Sequence, residues 1–391
     1  GVCGGIAAYK VAGWLRELVR DGAEVTVVMT AAAQRFVGPL TFAALSGRRV
    51  ECAMFDADSG RAMEHIRLAR EAELVLVAPA TANSLARFAH GLADDLLAAI
   101  LLATRAPVVL CPSMNSDMFV HPATQDNLAR LAAFGYHLVT PASGELACGE
   151  EGPGRLPEWD PVREQLLSLL SPQDLQGRTV LVSAGPTREA LDPARFLSNR
   201  SSGRMGYALA RAARRRGASV RLVSGPTALP DPPGVSVTRV ASAAEMAAAI
   251  LQQAEGADVV AMAAAVADFR PGQPETHKVK KGAAALTLAL ERTVDILGEL
   301  GRRPSPRPLL LGFAAESRDH LAEGRRKLKA KKLDCIAVND IGGSGTGFEV
   351  DSNQVTLIDA DGEHPLPHTS KDETAARIWD HLILRLVRRI V

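Results

Sequence analysis

The sequence lacks any strong excess of charge. Its 391 residues include 45 Lys and Arg against 44 Asp and Glu, which leaves a net charge of +1. Proteins that coat nucleic acids carry a strongly basic surface, so this balance argues against non-specific nucleic-acid binding. With 47% hydrophobic and 23% charged residues, the composition is that of an ordinary globular protein and not of a disordered chain.

Long apolar runs and paired cysteines are also missing. The longest apolar stretches, such as 96–103 and 259–267, are much shorter than the roughly 18 residues that a membrane-spanning helix needs. The five cysteines are scattered singly, without the C-x-x-C spacing of a zinc site. The sequence shows no basic-then-apolar signal segment at its start. We therefore expect a soluble protein of the reducing cytoplasm.

Apolar periodicity predicts strands that alternate with helices along the whole chain. In the first half we predict a helix at 6–20, strands at 24–29, 74–78, 107–111 and 137–139, and helices at 82–89, 94–104 and 122–134. In the second half we predict strands at 179–183, 219–224, 258–264, 286–290, 308–313, 335–339 and 354–358, and helices at 204–216, 242–254, 318–332 and 372–389. Such alternation is typical of an α/β protein with parallel sheets covered on both faces.

The chain length predicts two or three domains. A polar, proline-containing connector at 171–177 separates the two α/β series. We therefore expect two doubly wound, Rossmann-like or flavodoxin-like domains, residues 1–170 and 178–391, joined by that linker.

Glycines and polar residues lie at two strand-to-helix junctions of the first half, and we interpret Gly1 and Val2 as the end of the strand at the first junction. In GVCGGIAAYK (1–10) the glycines precede a helix, where free N–H groups and the helix dipole favour a phosphate. A tight turn that requires glycine explains the same pattern. PATAN (79–83) places Thr81 and Asn83 at a second junction, either for a ligand or as simple helix capping.

Three further residues of the first half suggest chemistry. His65 precedes a helical run, although an isolated histidine is also typical of a protein surface. Asn115 follows a strand and offers both an amide donor and an acceptor, which turns also use. Cys148 lies in a glycine-rich loop at 143–155, which favours a flap that closes over a ligand.

Together these strings resemble the FMN-dependent phosphopantothenoylcysteine decarboxylases of coenzyme A biosynthesis. The resemblance runs through G-G-I-A-A-Y-K, PATAN, the histidine before I-x-L, P-x-M-N and A-C-G. It implies FMN bound between the subunits of a trimer, with His65 as the active-site histidine, Asn115 holding the substrate carboxylate and Cys148 as the proton donor. The residues that it implies for FMN are Gly4, Gly5, Ile6, Thr30, Thr81, Asn83 and Met114. Cys3 stands where the family usually has serine, which affects a side-chain contact with the flavin phosphate.

The chemistry of this family explains its need for a flavin. Direct loss of CO₂ from a cysteinyl carboxylate would leave an unstabilised carbanion. Transient oxidation of the thiol by FMN lets that charge delocalise, and the hydride is returned afterwards, so no net redox change results.

The second half carries polar motifs at the ends of its predicted strands. We expect residues 183–206 to form a long polar loop, whose GRMG end begins a helix suited to phosphate. Asp268 ends a hydrophobic strand, and Lys278, Lys280 and Lys281 form a short basic cluster. A solvated loop and a solvated lysine face are the ordinary explanations of these patterns.

These motifs resemble the phosphopantothenate–cysteine ligases. The match includes AGPTRE, SN-x-SSG-x-MG, AAVADF, K-x-KK, GFAAE and K-x₃-K-x-L-D. It implies activation of phosphopantothenate by CTP with Mg²⁺, and attack of cysteine on the acyl-cytidylate. Asn199 then handles the acyl-cytidylate, Arg195 belongs to the same loop, and Lys278 serves the activation step. The residues implied for CTP are Asp268, Lys278, Val294, Asp295, Ile296, Leu297, Phe313, Lys327 and Lys331.

Three departures from the ligase pattern concern the choice between CTP and ATP. Arg200 replaces a common histidine, Arg204 a lysine of the phosphate turn, and Val294 a usual proline. Arginine keeps the positive charge at position 204, but it replaces the compact ammonium group of lysine with a planar guanidinium group that donates several hydrogen bonds. No residue is assigned as an Mg²⁺ ligand.

We therefore expect a bifunctional enzyme whose ligase half makes phosphopantothenoylcysteine and whose decarboxylase half converts it to phosphopantetheine. The partners expected are small-molecule substrates and further copies of the chain, in a dodecamer of decarboxylase trimers and ligase dimers. A non-catalytic FMN-binding subunit of the same fold is one alternative. Decarboxylation of a peptide's C-terminal cysteine by the first half is the other.

Overall fold

The computed structural model describes residues 1–55, 63–146, 149–278, 287–316, 319–340 and 352–388. These residues form two units, Gly1–Leu170 and Ser171–Val391. Cys148, Lys280 and Lys281, which the sequence analysis singled out, lie outside the described residues. No helix among those described is long and apolar enough to cross a membrane.

The first unit alternates strands and helices. Its elements are α1 Ala8–Arg20, a 3-10 helix Ala33–Arg35, α2 Pro39–Ser46, α3 Glu64–Glu71, β1 Val75–Ala80, α4 Ala82–His90, α5 Leu96–Ala103, β2 Val108–Pro112, α6 Ser116–Val120, α7 Pro122–Ala133, β3 His137–Leu138, β4 Ala142–Glu145, β5 Glu151–Arg155 and α8 Trp159–Leu170.

The sheet of the first unit is parallel, in the order β1-β2-β3, and the start of the chain extends it beyond β1. Ala78 N donates to Gly1 O at 2.9 Å, and Val2 N donates to Val28 O at 2.8 Å. The predicted strand 24–29 is wrong in extent, because only Val28 and Met29 form bridges. Among the residues described, Met29 pairs only with Val2, and Val28 only with Glu51. Single bridges of this kind do not make the repeated hydrogen-bond pattern of a regular strand.

Helices cover both faces of this sheet, as the alternation predicts. One core contains Val11, Trp14 and Leu15 of α1, with Leu166 of α8. The other contains side chains of α3, α4, α5 and α7, such as Leu85. Because both faces are buried, β1 and β2 consist almost entirely of apolar residues.

The second unit is larger and has the same alternation. Its elements are β6 Thr179–Ala184, β7 Arg188–Asp192, β8 Arg195–Ser198, α9 Arg204–Arg215, β9 Ser219–Ser224, β10 Ser236–Arg239, α10 Ala243–Gln253, β11 Val259–Met262, β12 Phe269–Pro271, β13 Leu290–Arg292, α11 Ile296–Arg302, β14 Leu309–Glu316, α12 His320–Ala330, β15 Cys335–Asp340, β16 Ser352–Asn353, β17 Val355–Asp359, β18 Glu363–Pro365, β19 Thr369–Ser370 and α13 Lys371–Arg388.

The main sheet of the second unit has the order β10-β9-β6-β11-β14-β15-β17-β18 in the described part of the chain. Its first six strands are parallel and follow the Rossmann order 3-2-1-4-5-6. The last two, β17 and β18, pair antiparallel. Helices α9 and α13 cover one face, and α10, α11 and α12 cover the other. The expected doubly wound α/β class is therefore confirmed.

Two local predictions for the second unit are wrong. The loop expected at 183–206 contains the hairpin β7–β8, because Asp192 Oδ1 accepts hydrogen bonds from the N–H groups of Ala194 and Arg195 and closes a turn. The strand expected at 286–290 lies at Leu290–Arg292 instead. It pairs antiparallel with β12, and that partner determines its register.

The polar connector packs against the second unit. Leu175 is fully buried in the core that α9 and α13 share. Asp174 accepts two hydrogen bonds from Arg216, which is itself buried. This ion pair ties the connector to the C-terminal end of α9.

Candidate functional site

A cavity of about 1220 Å³ opens in the first unit at the carboxyl ends of β1 and β2. This edge is where open α/β sheets bind ligands. All seven residues predicted for FMN line it, namely Gly4, Gly5, Ile6, Thr30, Thr81, Asn83 and Met114. Asn115 lines the same cavity. Residues from four separated segments of the sequence thus meet at one site.

The turn before α1 fits a phosphate-bearing ligand. A Cβ at Gly4 would lie 2.4 Å from the Cβ of Ala32, so only glycine allows the turn to pass this close. Thr81, whose side chain lies next to Gly5, caps α4 with its hydroxyl by accepting from Ser84 N at 3.3 Å. Backbone N–H groups at a helix start and nearby hydroxyls are suitable groups for a flavin phosphate.

Cys3 does not replace the serine of the family as a flavin contact. Its side chain is fully buried and does not line the cavity. Burial raises the pKa of the Cys3 thiol, and it raises that of Cys111 to about 12. Both groups are therefore neutral thiols in the core.

Asn115 is fixed by the helix that it begins. Its Oδ1 accepts from Asp117 N at 2.9 Å and from Met118 N at 3.4 Å, as the N-cap of α6. Its Nδ2 donates to Glu150 Oε2 at 2.5 Å. An amide N–H₂ held in this orientation is a donor for a carboxylate.

His65, another catalytic candidate of the first half, does not line this cavity. It is half-buried on α3. Cys148 belongs to the part of the chain that the structure does not describe. The cavity of one chain therefore shows Asn115 beside the flavin candidates, without His65.

The second unit has a cavity of about 610 Å³ at the carboxyl ends of β11, β14 and β15. All the residues predicted for CTP line it except Lys278, namely Asp268, Val294, Asp295, Ile296, Leu297, Phe313, Lys327 and Lys331. Lys327 of α12 and Lys331 at its C-terminal end therefore line the same cavity as the start of α11.

Asp295 and Lys331 set the charge at this wall of the cavity. Lys331 Nζ lies 2.8 Å from Asp295 Oδ1, which also accepts from Gly298 N and caps α11. Burial alone raises the pKa of Asp295, but the hydrogen bonds from Lys331 and Gly298 outweigh it, so the pKa is below its usual value. The carboxylate is therefore ionised at neutral pH, and the pair presents both charges to a ligand.

The start of α9 forms the opposite wall. Ser201, Ser202, Gly203 and Arg204 line the cavity, and Gly203 is the N-cap with a φ of 78°. At this φ glycine is strongly favoured. The turn predicted to bind a phosphate therefore lines this cavity.

Asn199, Arg195 and Lys278 do not line the cavity. Asn199 Nδ2 donates to Ala265 O at 3.1 Å, and Ala265 is itself a lining residue. Arg195 forms a salt bridge with buried Asp192 at 2.5 Å in the β7–β8 hairpin. Lys278 is exposed.

Two lining residues escaped the sequence analysis. Asn339 is the next-to-last residue of β15 and Asn353 is the last residue of β16, and both are buried. In the described chain, neither Oδ1 atom has a hydrogen-bond partner. Such acceptors are normally paired, which marks them as contacts for a ligand or a water. Asn339 is the last residue of the strand predicted at 335–339, so its position at the carboxyl end of the sheet was a usable signal.

Comparisons with known proteins find a family for each half of the chain. The model of the family described as "Flavoprotein" matches residues 1–171, and that described as "DNA/pantothenate metabolism flavoprotein C-terminal domain" matches residues 175–385. A coenzyme A biosynthesis bifunctional protein CoaBC of Vibrio cholerae is 46% identical over 385 residues, covering 98% of this chain and 96% of that protein. The chain belongs to the family of bifunctional coenzyme A biosynthesis proteins.

Other members of the family are equally similar. The CoaBC protein of Bacillus subtilis is 45% identical over 386 residues, covering 97% of this chain and 95% of that protein. That of Mycobacterium tuberculosis is 47% identical over 401 residues, covering 98% and 95%. A crystal structure of the C-terminal domain of a CoaBC protein is 41% identical and covers 55% of this chain and 99% of that chain, with a TM-score of 0.48.

Membership of this family confirms the function expected from the sequence. The chain is a bifunctional enzyme of coenzyme A biosynthesis that combines an FMN-dependent decarboxylase with a ligase. The alternative of a non-catalytic FMN-binding subunit is thereby set aside.

Proposed function

We propose that residues 1–170 form the phosphopantothenoylcysteine decarboxylase and residues 178–391 the CTP-dependent phosphopantothenate–cysteine ligase, with 171–177 as linker. The observation that supports this division is the presence of one cavity in each unit, lined by the flavin candidates in the first and the nucleotide candidates in the second. The ligase product is then the substrate of the decarboxylase.

In the decarboxylase, the side chains around the cavity hold the substrate and supply a proton. Bound FMN would serve as a reversible hydride acceptor for the cysteinyl side chain. The Gly4–Ile6 turn and Thr81 hold its phosphate end. Asn115 Nδ2 donates to the substrate carboxylate, and Cys148 protonates the decarboxylated carbon.

His65 acts, in this proposal, on the cavity of a neighbouring subunit. It is the one described catalytic candidate of the first half that does not line the cavity of its own chain. Supply of His65 in trans requires an oligomer, which agrees with the trimer that the family resemblance implies. The full assembly proposed is a dodecamer of decarboxylase trimers and ligase dimers.

In the ligase, cations stabilise the charge that develops as pyrophosphate leaves CTP. Lys327 and Lys331 on the cavity wall and Lys278 supply this charge, and a bound Mg²⁺ ion would add to it. The N-terminus of α9 binds a phosphate group. Asn199 and Arg195, in the loop before α9, handle the acyl-cytidylate while cysteine attacks. The use of CTP, cysteine and free thiols suits a cytoplasmic location, which is part of the proposal.

The assignment of one reaction to each unit is tested by variants that change one site at a time. With CTP, phosphopantothenate and cysteine, Asn115→Ala should still release pyrophosphate and accumulate phosphopantothenoylcysteine without CO₂. Lys278→Gln should form no phosphopantothenoylcysteine, yet should decarboxylate that compound when it is supplied. A flavin absorption spectrum of each purified variant checks that FMN is retained. Loss of both activities in either variant would contradict the assignment of one reaction to each unit.

A further inference from the structure

The Asn115 amide uses its oxygen to cap α6, so its N–H₂ group is the part that can donate hydrogen bonds to other groups. Because Oδ1 accepts from Asp117 N and Met118 N, rotating the amide by 180° would break the cap of α6. Nδ2 has no acceptor capacity. Asn115 therefore selects an acceptor, and a carboxylate is the strongest one available.

In this structure the acceptor is a carboxylate of the protein itself. Asn115 Nδ2 donates to Glu150 Oε2 at 2.5 Å, although the two residues are 35 positions apart. Glu150 precedes β5 and follows Cys148 by two positions. The group that is proposed to hold the substrate carboxylate thus already binds an equivalent group.

The approach of Glu150 depends on how closely β5 packs against the segment around Asn115. Met114 N donates to Gly154 O at 2.9 Å, and a Cβ at Gly154 would lie 2.3 Å from Met114 O. A Cβ at Gly152 would lie 2.4 Å from Ser116 Oγ. Two glycines therefore allow this strand to pack directly on the loop. The close packing of β5 therefore brings Glu150, the residue before this strand, within hydrogen-bond distance of Asn115.

We propose that Glu150 is a specificity-determining residue that holds the carboxylate position at Asn115 until a substrate carboxylate displaces it. This rests on the proposed decarboxylase function of the first unit. Nδ2 carries two N–H groups, but two ionised carboxylates bound to it would repel each other, so Glu150 and the substrate carboxylate compete for this amide. Substrate binding exchanges one carboxylate for another, whereas a ligand without a carboxylate leaves the Glu150 contact intact.

The exchange of carboxylates should affect the affinity for the substrate and the affinity for the product differently. The substrate must break the Asn115–Glu150 hydrogen bond, so its affinity is reduced by the strength of that contact. The product has lost the carboxylate as CO₂ and no longer competes with Glu150. Glu150 therefore affects the affinity for the substrate and leaves that for the product unchanged.

Two unreactive ligands measure these affinities without turnover. The alanine analogue of phosphopantothenoylcysteine keeps the carboxylate but has no thiol to oxidise, and the corresponding ethylamide lacks the carboxylate. Each is titrated into the FMN-loaded full chain by calorimetry. For Glu150→Ala we expect the Kd of the alanine analogue to fall roughly three- to tenfold, the ratio for one net hydrogen bond. For the ethylamide we expect no change.

Matched variants separate this contact from other effects. Glu151→Gln removes the same charge from the neighbouring exposed position and should leave both affinities unchanged. Glu150→Gln keeps an acceptor but no charge, and should lower the Kd of the alanine analogue less than Glu150→Ala does. Equal or weaker binding of the alanine analogue in Glu150→Ala would overturn the role of Glu150 alone. Failure of both ligands to bind the wild-type chain would overturn the proposed function with it.

Discussion

Lys331 and Asp295 form an ion pair on the wall of the ligase cavity, with 2.8 Å between Nζ and Oδ1. The two residues are 36 positions apart, and Asp295 caps α11 while Lys331 ends α12. The ion pair therefore fixes the Lys331 ammonium group at the C-terminal end of α12, a helix that packs on the sheet. Both residues are nucleotide candidates, and we propose that the contact positions Lys331 for CTP.

Replacing Lys331 should weaken nucleotide use selectively. Lys331→Met keeps the length of the apolar stem and removes the charge. We expect the KM for CTP to rise about tenfold or more, as for loss of a charged hydrogen bond, with unchanged decarboxylation of supplied phosphopantothenoylcysteine. Steady-state pyrophosphate release measures this effect. Lys329→Met, an exposed lysine on the same helix that does not line the cavity, is the control. An unchanged KM would exclude Lys331 from the nucleotide site.

Mixed oligomers should reveal whether His65 acts in trans. His65→Asn and Asn115→Ala should each abolish CO₂ release while retaining FMN. Co-expression of the two variants with different affinity tags gives oligomers in which some cavities combine an intact Asn115 with an intact His65 from the neighbouring chain. We expect such doubly tagged oligomers to regain a fraction of the wild-type CO₂ release.

The opposite outcome is equally clear. If His65 serves the cavity of its own chain, no cavity in a mixed oligomer contains both intact residues. The doubly tagged material would then be as inactive as either parent. If the His65→Asn variant alone released CO₂ at the wild-type rate, His65 would have no catalytic role and would be an ordinary surface histidine.

Asn199 and Lys278 should separate the two half-reactions of the ligase. Lys278→Gln removes a cation needed as pyrophosphate leaves, so we expect neither pyrophosphate nor acyl-cytidylate. Asn199→Asp keeps the size but adds a charge near phosphates. We expect that variant to release pyrophosphate and accumulate acyl-cytidylate without efficient coupling to cysteine, a loss on the order of 10²-fold. Quenched product analysis resolves the two, and the reverse pattern would exchange the roles.

The regular part of the fold could be predicted because its signals are local. The strand expected at 179–183 and the helix expected at 204–216 differ from β6 and α9 by one residue. Their apolar side chains face cores on the sheet surfaces, so the periodicity follows directly from burial. Helix α8 was missed, since only Val162 and Leu166 are buried along its length.

The parts that could not be predicted depend on pairing between distant segments. The β7–β8 hairpin follows from hydrogen bonds of one carboxylate, that of Asp192. The cavity residues Asn339 and Asn353 meet because β15 pairs with β17, the strand that follows Asn353. The Asn115–Glu150 contact needs the close packing of β5. None of these relationships leaves a periodic signal in the sequence.

Asp359 lies at the centre of a charged cluster in the second unit, where β17 ends. Its side chain is fully buried, and its Oδ2 accepts from His381 Nε2 and Arg385 Nε at 2.6 Å each. Its Oδ1 accepts from Asp361 N at 2.8 Å and from Gly362 N at 3.2 Å. Burial raises the pKa of Asp359, but the bonds from His381, Asp361 and Arg385 outweigh it, and the pKa is lower than usual.

Removing this charge should destabilise the second unit. Asp359→Asn keeps the shape but leaves Arg385, which is mostly buried, without its main partner. We expect the free energy of unfolding to fall by about 2–4 kcal/mol. Asp361→Asn, at an exposed carboxylate that also contacts Arg385, is the control and should cost less than about 1 kcal/mol. A loss in the control as large as in Asp359→Asn would assign the effect to surface charge.

The effect of Asp359→Asn should disappear in acid. A folded pKa below the unfolded value of about 3.9 means that the ionised carboxylate stabilises the fold above that pH, and that this stabilisation is lost as the pH falls through the folded pKa. The difference between wild type and variant should therefore stay constant above about pH 5 and shrink below about pH 4. Trp379 is buried in the same unit. Its fluorescence reports urea unfolding once Trp14 and Trp159 are replaced by Phe in both chains. A difference that persists undiminished at the lowest pH would show that the lost shape or packing, and not the charge of Asp359, stabilises the unit.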